Sequence, residues 1–200
     1  MKLIGINCSP RKGQTTQRGL EICFEAARQT SKDIQTDIIE LAGRNIQGCL
    51  GCGYCSTHPQ CHQEDDFNAL IPMLEDDTVG AIIIGTPVYL GTMTSQCKAF
   101  LDRTVVLSRN GCVLRNKAAG VLAVGGVRNG GQELTIQAVQ AALFCHDMVC
   151  VSGGTKTAHF GASLVSHAQN GIECDDIGIE AARDLGRRIA RLAMLLTRAK

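Results

Sequence analysis

Two hundred residues, 44% of them hydrophobic and 20% charged, are enough for one domain with a sizeable core. The formal net charge of +1 excludes the basic excess of a nucleic-acid binder, and no apolar run approaches the roughly 18 residues that a bilayer-spanning helix needs. The opening MKLIGINCSP is interrupted too soon for a signal peptide. A cytoplasmic location is therefore expected, where eleven cysteines are poor candidates for structural disulfides.

Residues 2–7 (KLIGIN) form a short apolar run that predicts a strand, ending in CSPRKGQTTQ. Helical spacing follows, with Leu20, Cys23, Phe24 and Ala27 on one face. Residues 34–41 suit a second strand, and a cysteine-rich loop runs from about 42 to 64. Asp65 and Asp66 are placed to cap a helix through about residue 77, shortened or broken by Pro72. Residues 79–85 (VGAIIIG) read as a buried strand, 94–107 as a helix, 118–124 (AAGVLAV) as another buried strand and 132–145 as a helix. A short strand at 148–152, a loop over 153–172 and a long helix over 176–198 complete the chain. That helix carries Ala181, Leu185, Ile189, Leu192 and Leu196 on one face. Five strand–helix alternations predict a single α/β domain over 1–200, doubly wound on a five-stranded parallel sheet.

Ligands of open α/β sheets bind beyond the carboxyl ends of the strands, so the loops there carry the functional reading. The first, SPRKGQTTQ, combines hydroxyls and amides with the start of a helix, where backbone N–H groups suit a phosphate. It matches neither the dinucleotide nor the NTPase fingerprint, and alone it reads equally well as a capped helix. The second, TPVYLGTMTSQCKAFLDR, sets Tyr89 just past a buried strand, placed to stack on a flat ring or to cover the sheet edge. The third, GGVRNGGQE, has four glycines that permit close backbone approach. Their shared order at one end of one sheet is more specific than any of them alone.

The cysteine loop reads CLGCGYCSTHPQC, a C-x2-C-x2-C-x5-C spacing at Cys49, Cys52, Cys55 and Cys61. Short x2 steps suit a [4Fe–4S] cluster, and Gly48, Gly51 and Gly53 allow the backbone to fold thiolates inward. Zinc with a mixed Cys/His set is the rival, since His58 and His62 lie in the loop. A redox dithiol accounts for only two of the four thiols. Cys23, Cys97, Cys112, Cys145 and Cys150 read as small buried hydrophobes and Cys174 as a loop residue. His146, His159 and His167 show no metal spacing, His159 and His167 read as surface polar residues of their loop, and no general-base constellation stands out.

The three loops resemble those of the NADPH-dependent FMN reductase family, which has a flavodoxin-like fold. The resemblance implies that Ser9, Arg11, Gln14, Thr15 and Thr16 take the FMN phosphate. By the same analogy Pro87, Val88, Tyr89, Leu90 and Gly91 contact the flavin, and Gly125, Gly126 and Gln132 line it. Cys8 and Gln14 depart from the residues usual at those places, without removing a donor. A cysteine motif between the second strand and second helix further resembles the iron–sulfur flavoproteins. It implies a [4Fe–4S] cluster on Cys49, Cys52, Cys55 and Cys61, in a homodimer or homotetramer whose cluster and flavin meet across a subunit interface. The implied activity is electron transfer between a ferredoxin-like donor or reduced nicotinamide, NAD(P)H, and a quinone, dioxygen or peroxide. The alternatives are an NAD(P)H-dependent FMN or quinone reductase with a structural zinc or metal-free loop, and a redox or iron sensor.

Overall fold

The structure is a computed structural model that describes residues 1–155, 157, 159–166 and 170–198. The elements in chain order are β1 (Lys2–Asn7), α1 (Thr15–Arg28), β2 (Gln35–Glu40), α2 (Ile71–Glu75), β3 (Val79–Pro87), α3 (Ser95–Arg103), α4 (Val105–Arg109), β4 (Ala118–Gly125), α5 (Gln132–Phe144), β5 (Val149–Cys150), β6 (Ala162–Val165) and α6 (Asp176–Arg198). The strands pair in parallel in the order β2-β1-β3-β4-β5.

Alternation along the central strands builds the two faces. Ile4, Ile6, Ile82, Ile84, Val121 and Ala123 face one apolar layer, with Phe67, Phe100, Val106, Ile136 and Leu143. Leu3, Ala81, Ile83, Leu122 and Val124 face the other, closed by α1 and α6. Ala181, Leu185 and Ile189 are buried there and Leu192 and Leu196 are half-buried against it, as the helical spacing predicts.

Three local expectations change. The helix expected from Asp65 to residue 77 is only Ile71–Glu75, preceded by a 3₁₀ turn at Asn68–Leu70, because Pro72 sits in its first turn and neither Asp caps it. The helix over 94–107 divides at Thr104, whose N–H is shared between Phe100 O and Leu101 O while its hydroxyl bonds Leu101 O at 2.6 Å. The loop over 153–172 contains β6. It pairs with β4 from Leu122 to Gly125, beyond the Ala118–Ala119 stretch that β5 takes. The fifth strand position is thus shared by two short segments, neither long enough to announce itself in the sequence.

The α1–α6 contact is close. A Cβ on Gly186 would fall 2.0 Å from Cys23 O, so the helices meet backbone to side-chain-free backbone. Gly186→Ala is expected to cost about 1–3 kcal/mol by overpacking. A lowered urea midpoint with unchanged slope would show it, and an unchanged midpoint would refute this packing.

Candidate functional site

The three loops converge at the carboxyl end of the sheet. At β1, Asn7 Oδ1 accepts from the Ser9 N–H at 3.2 Å and Asn7 Nδ2 donates to Glu40 at 2.8 Å, so the turn out of the strand is fixed from both sides. Ser9 is buried, and its Oγ accepts from the Arg11 N–H at 3.1 Å. Helix α1 then begins after Gln14 with no side-chain cap and no acidic residue in its first turn. Its first N–H groups point outward beside Thr15 and the buried Thr16, and they suit an anion.

The second loop is tied to the first. Thr94, the N-cap of α3, accepts from Cys97 N–H at 3.2 Å and donates to Cys8 O at 2.8 Å, and Gln96 Nε2 reaches Ser9 O at 3.2 Å. Tyr89 and Thr92 close a tight hairpin around Leu90 (φ 49°) and Gly91 (φ 80°). A turn with two left-handed central residues normally takes Asn or Gly, so Leu90 holds a strained conformation with its side chain fully exposed. The third loop packs on the second, since a Cβ on Gly131 would lie 3.1 Å from Gly91 Cα. The Gln132 amide lies over Gly125 and donates to Val127 O at 2.7 Å, while its buried Oε1 has no partner. Space beside Gly126 is open. The uncapped N–H groups fit a flavin phosphate, and the orphaned amide oxygen with the open space beside Gly126 fits a ring that offers an N–H. The segment Asn170–Glu173, which carried no signal in the sequence, borders the same loop. A Cβ on Gly171 would sit 3.1 Å from Thr15, and Glu173 pairs with Arg18 at 2.9 Å.

The cysteine loop lies over α3, α4 and α5, on the other side of the second loop's helix. Its neck is closed by Arg103, whose guanidinium forms two bonds to Asp65, at 2.7 and 2.9 Å, and one to Gln47 O at 2.9 Å. The Gln47 N–H returns a bond to Asp65 at 2.9 Å, and Asn45 and Asp66 pair just outside. Arg103 is fully buried with its guanidinium 4.8 Å from the Phe67 ring centre. Burial works against its charge, but Asp65 and the Cys61 thiol hold its pKa above the ordinary value. Burial likewise opposes the Asp65 carboxylate, yet bonds from Arg103 and the Gln47 and Phe67 N–H groups hold its pKa below the usual carboxylate value. The backbone of Cys61 is clamped by Asn68, which accepts its N–H at 2.9 Å and donates to its O at 3.1 Å.

All four loop cysteines line one cleft of about 740 Å³, walled by α3, α4 and α5. Cys55 is buried, Cys61 half-buried, and Cys49 and Cys52 exposed. Gly51 (φ 63°) and Gly53 (φ 77°) take the left-handed backbone between them, and the Gly51 N–H reaches Cys49 Sγ at 3.4 Å. Arg109 Nη1 donates to Cys55 Sγ at 3.2 Å. Among the described residues no three His, Cys, Asp or Glu side chains are gathered closely enough to hold an ion. Four thiols lining one cleft, with a guanidinium directed at one of the sulfurs, have the donor chemistry of a thiolate-bound group of net negative charge. Tyr54 stacks on His58 at 3.8 Å, which engages a histidine that the zinc reading would use.

Some sequence readings need correction. Cys145 is exposed on the cleft, and Cys112 and Cys150 are only half-buried. His146 is buried. Its Nε2–H donates to Thr104 at 2.8 Å, since the Thr104 hydroxyl is spent on Leu101 O, and its Nδ1 accepts from Ser108 at 2.7 Å. Burial lowers its pKa, in keeping with a neutral ring. His159 is half-buried against Glu133 at 3.1 Å, and His167 lies outside the described residues.

The model of the NADPH-dependent FMN reductase family matches residues 1–163. The chain belongs to that family, and it is an FMN-dependent oxidoreductase. It also belongs with the iron–sulfur flavoproteins. A protein of that name from Methanocaldococcus jannaschii is 39% identical over 98% of this chain and 99% of its own length. One from Methanosarcina thermophila is 31% identical over 98% and 97%. One from Archaeoglobus fulgidus is 32% identical over 95% and 96%. Among solved structures, RosB with a bound intermediate superposes with a TM-score of 0.74 at 18% identity, over 99% of this chain and 81% of its own. A flavodoxin-like, WrbA-like protein from Agrobacterium tumefaciens gives 0.64 at 18% identity, over 97% and 98%. At that identity the superpositions establish the flavodoxin-like fold.

Asp65→Asn leaves Arg103 uncompensated and is expected to destabilise the protein by about 3–5 kcal/mol near neutral pH. Because the folded pKa of Asp65 is depressed, the pair's contribution is complete above the unfolded value of about 3.9 and fades as pH falls through the folded one. Urea midpoints of the two proteins should therefore converge on acidification. A constant gap down to the acid limit would contradict this role for Asp65.

Proposed function

We propose that the chain transfers electrons between a one-electron donor and an acceptor, with FMN at the three loops and a [4Fe–4S] cluster on Cys49, Cys52, Cys55 and Cys61. The observation that carries the reading is that all four cysteines line one cleft, with Arg109 bonded to Cys55 Sγ. When bound, the flavin exchanges one or two electrons and the cluster one at a time, so the pair can link two-electron and one-electron chemistry.

The residues divide the work. The N–H groups at the start of α1, with Ser9, Arg11, Gln14, Thr15 and Thr16, hold the phosphate. Pro87, Val88, Tyr89, Leu90 and Gly91 border the ring on one side, and Gly125, Gly126 and Gln132 on the other, with Gln132 Oε1 free to accept a hydrogen bond. Arg103 keeps the neck of the cysteine loop shut. None of these groups moves a proton in the proposed reaction.

The donor class is a reduced ferredoxin-like protein or reduced nicotinamide, and the acceptor class a quinone, dioxygen or peroxide. No helix among the described residues is long and apolar enough to cross a membrane, in keeping with a cytoplasmic protein. Leu50, Tyr89, Leu90 and Val127 are exposed apolar side chains on the cysteine loop and the flavin loops, which supports a homodimer or homotetramer covering that edge. The whole of 1–200 acts as one domain.

Replacing any one of Cys49, Cys52, Cys55 or Cys61 by Ala is expected to abolish the broad visible absorbance of the cluster while FMN stays bound at the wild-type ratio. Retention of the cluster in all four variants would sink the ligand assignment. Rapid flavin reduction by NADPH in cluster-free protein would instead favour a nicotinamide-dependent FMN reductase, the reading closest to the family's description.

A further inference from the structure

Two arginines approach the cysteine loop, and their charges are spent differently. Arg103 is paired twice with Asp65, so the buried pair is close to neutral as seen from the cleft. Arg109 has no carboxylate within ion-pair range among the described residues. Its bond is to sulfur, Nη1 to Cys55 Sγ at 3.2 Å. Cys55 is the most buried of the four cysteines, and Arg109, itself exposed, reaches its sulfur from the solvent side.

The placement is fixed by more than the contact itself. Arg109 closes the short helix α4, which packs against the 3₁₀ turn Tyr54–Ser56 that contains Cys55. Asn110, the next residue, donates to His58 O at 3.1 Å and to Val106 O at 2.8 Å, pinning the same two segments a second time. The fold thus holds the backbone of Arg109 beside the loop, and the guanidinium, bonded to Cys55, has no acidic partner within ion-pair range among the described residues.

We propose that Arg109 sets the reduction potential of the cluster, raising it by stabilising the added negative charge through Cys55. The proposal rests on the cluster reading above. One electron from the ferredoxin-like donor makes the thiolate-bound group more negative by one charge, with no bond broken and no proton moved. A fixed cationic donor at a ligand sulfur favours that reduced state over the oxidised one, since net charge and hydrogen bonds to sulfur tune such potentials. Arg103, paired with Asp65 but also near Cys61, closes the loop and is a second cation at the ligands, so Arg109→Gln reads the share of Arg109 alone. Arg109 is a tuning residue and does not itself carry electrons.

The test is an anaerobic redox titration of the FMN-loaded, cluster-loaded protein, with the reduced cluster followed by its electron paramagnetic resonance and the flavin by absorbance. Arg109→Gln is expected to make the cluster harder to reduce by about tenfold in equilibrium constant, ~59 mV for one electron. Arg109→Lys should keep most of the wild-type value, and the flavin midpoint should stay put in both. An unchanged cluster midpoint in Arg109→Gln would overturn the proposal while leaving the cluster reading intact. Loss of the cluster from Arg109→Gln but not Arg109→Lys would support the need for charge. Loss from both, with FMN retained, would make Arg109 a structural residue only and overturn the tuning role. Wild-type protein without iron and sulfide would defeat the cluster reading itself.

Discussion

The Arg103–Asp65 ion pair is the closure on which the cysteine loop depends. Both side chains are almost completely withdrawn from solvent, and removing two charges from water costs several kcal/mol per ion. The cost is offset because every strong acceptor direction is used. Asp65 takes two guanidinium bonds and two backbone N–H groups, and the Phe67 ring covers the guanidinium. Gln47 and Asp65 stand on opposite shoulders of the cysteine stretch. Joining them through one side chain turns a long insertion into a closed loop with a fixed neck. Apolar side chains of equal volume often conserve stability in place of a buried ion pair, but here they would lose the bonds that register one shoulder against the other.

That neck also connects the two halves of the site. Arg103 ends α3, and Thr94, which caps the start of α3, holds Cys8 O at the mouth of the phosphate loop. One helix of nine residues therefore has the flavin loops at its first turn and the cysteine loop at its last. A shift of α3 along its axis would disturb both. The insertion after β2 is thus borne on a helix of the flavodoxin-like sheet, which is where the proposed second redox group would sit.

Much of this was legible in the sequence. KLIGIN, VGAIIIG and AAGVLAV give strands because each is apolar on both faces, as a sheet covered by helices on both sides requires. SPRKGQTTQ, TPVYLG and GGVRNGG stand out because hydroxyls, a ring and glycines recur after consecutive strands. What was not legible depends on partners far apart in the chain. Asp65 looks like a helix cap, and only the fold brings Arg103 to it across 38 positions. Arg109 meets Cys55 across 54 positions. The sequence shows no partner for His146, and its burial follows from Thr104, between α3 and α4, and Ser108, on α4, offering both ring nitrogens a partner. Strand β6 has only four residues and is defined by the edge of β4 that β5 leaves unpaired.

The account's central claim is that one chain of flavodoxin-like fold carries two redox groups, joined through α3. Iron, acid-labile sulfide, zinc and FMN measured together on protein purified without oxygen test it most directly. The account predicts about four iron and four sulfide per FMN, with zinc at background. Stoichiometric zinc without sulfide, or FMN with neither metal nor sulfide, would contradict it.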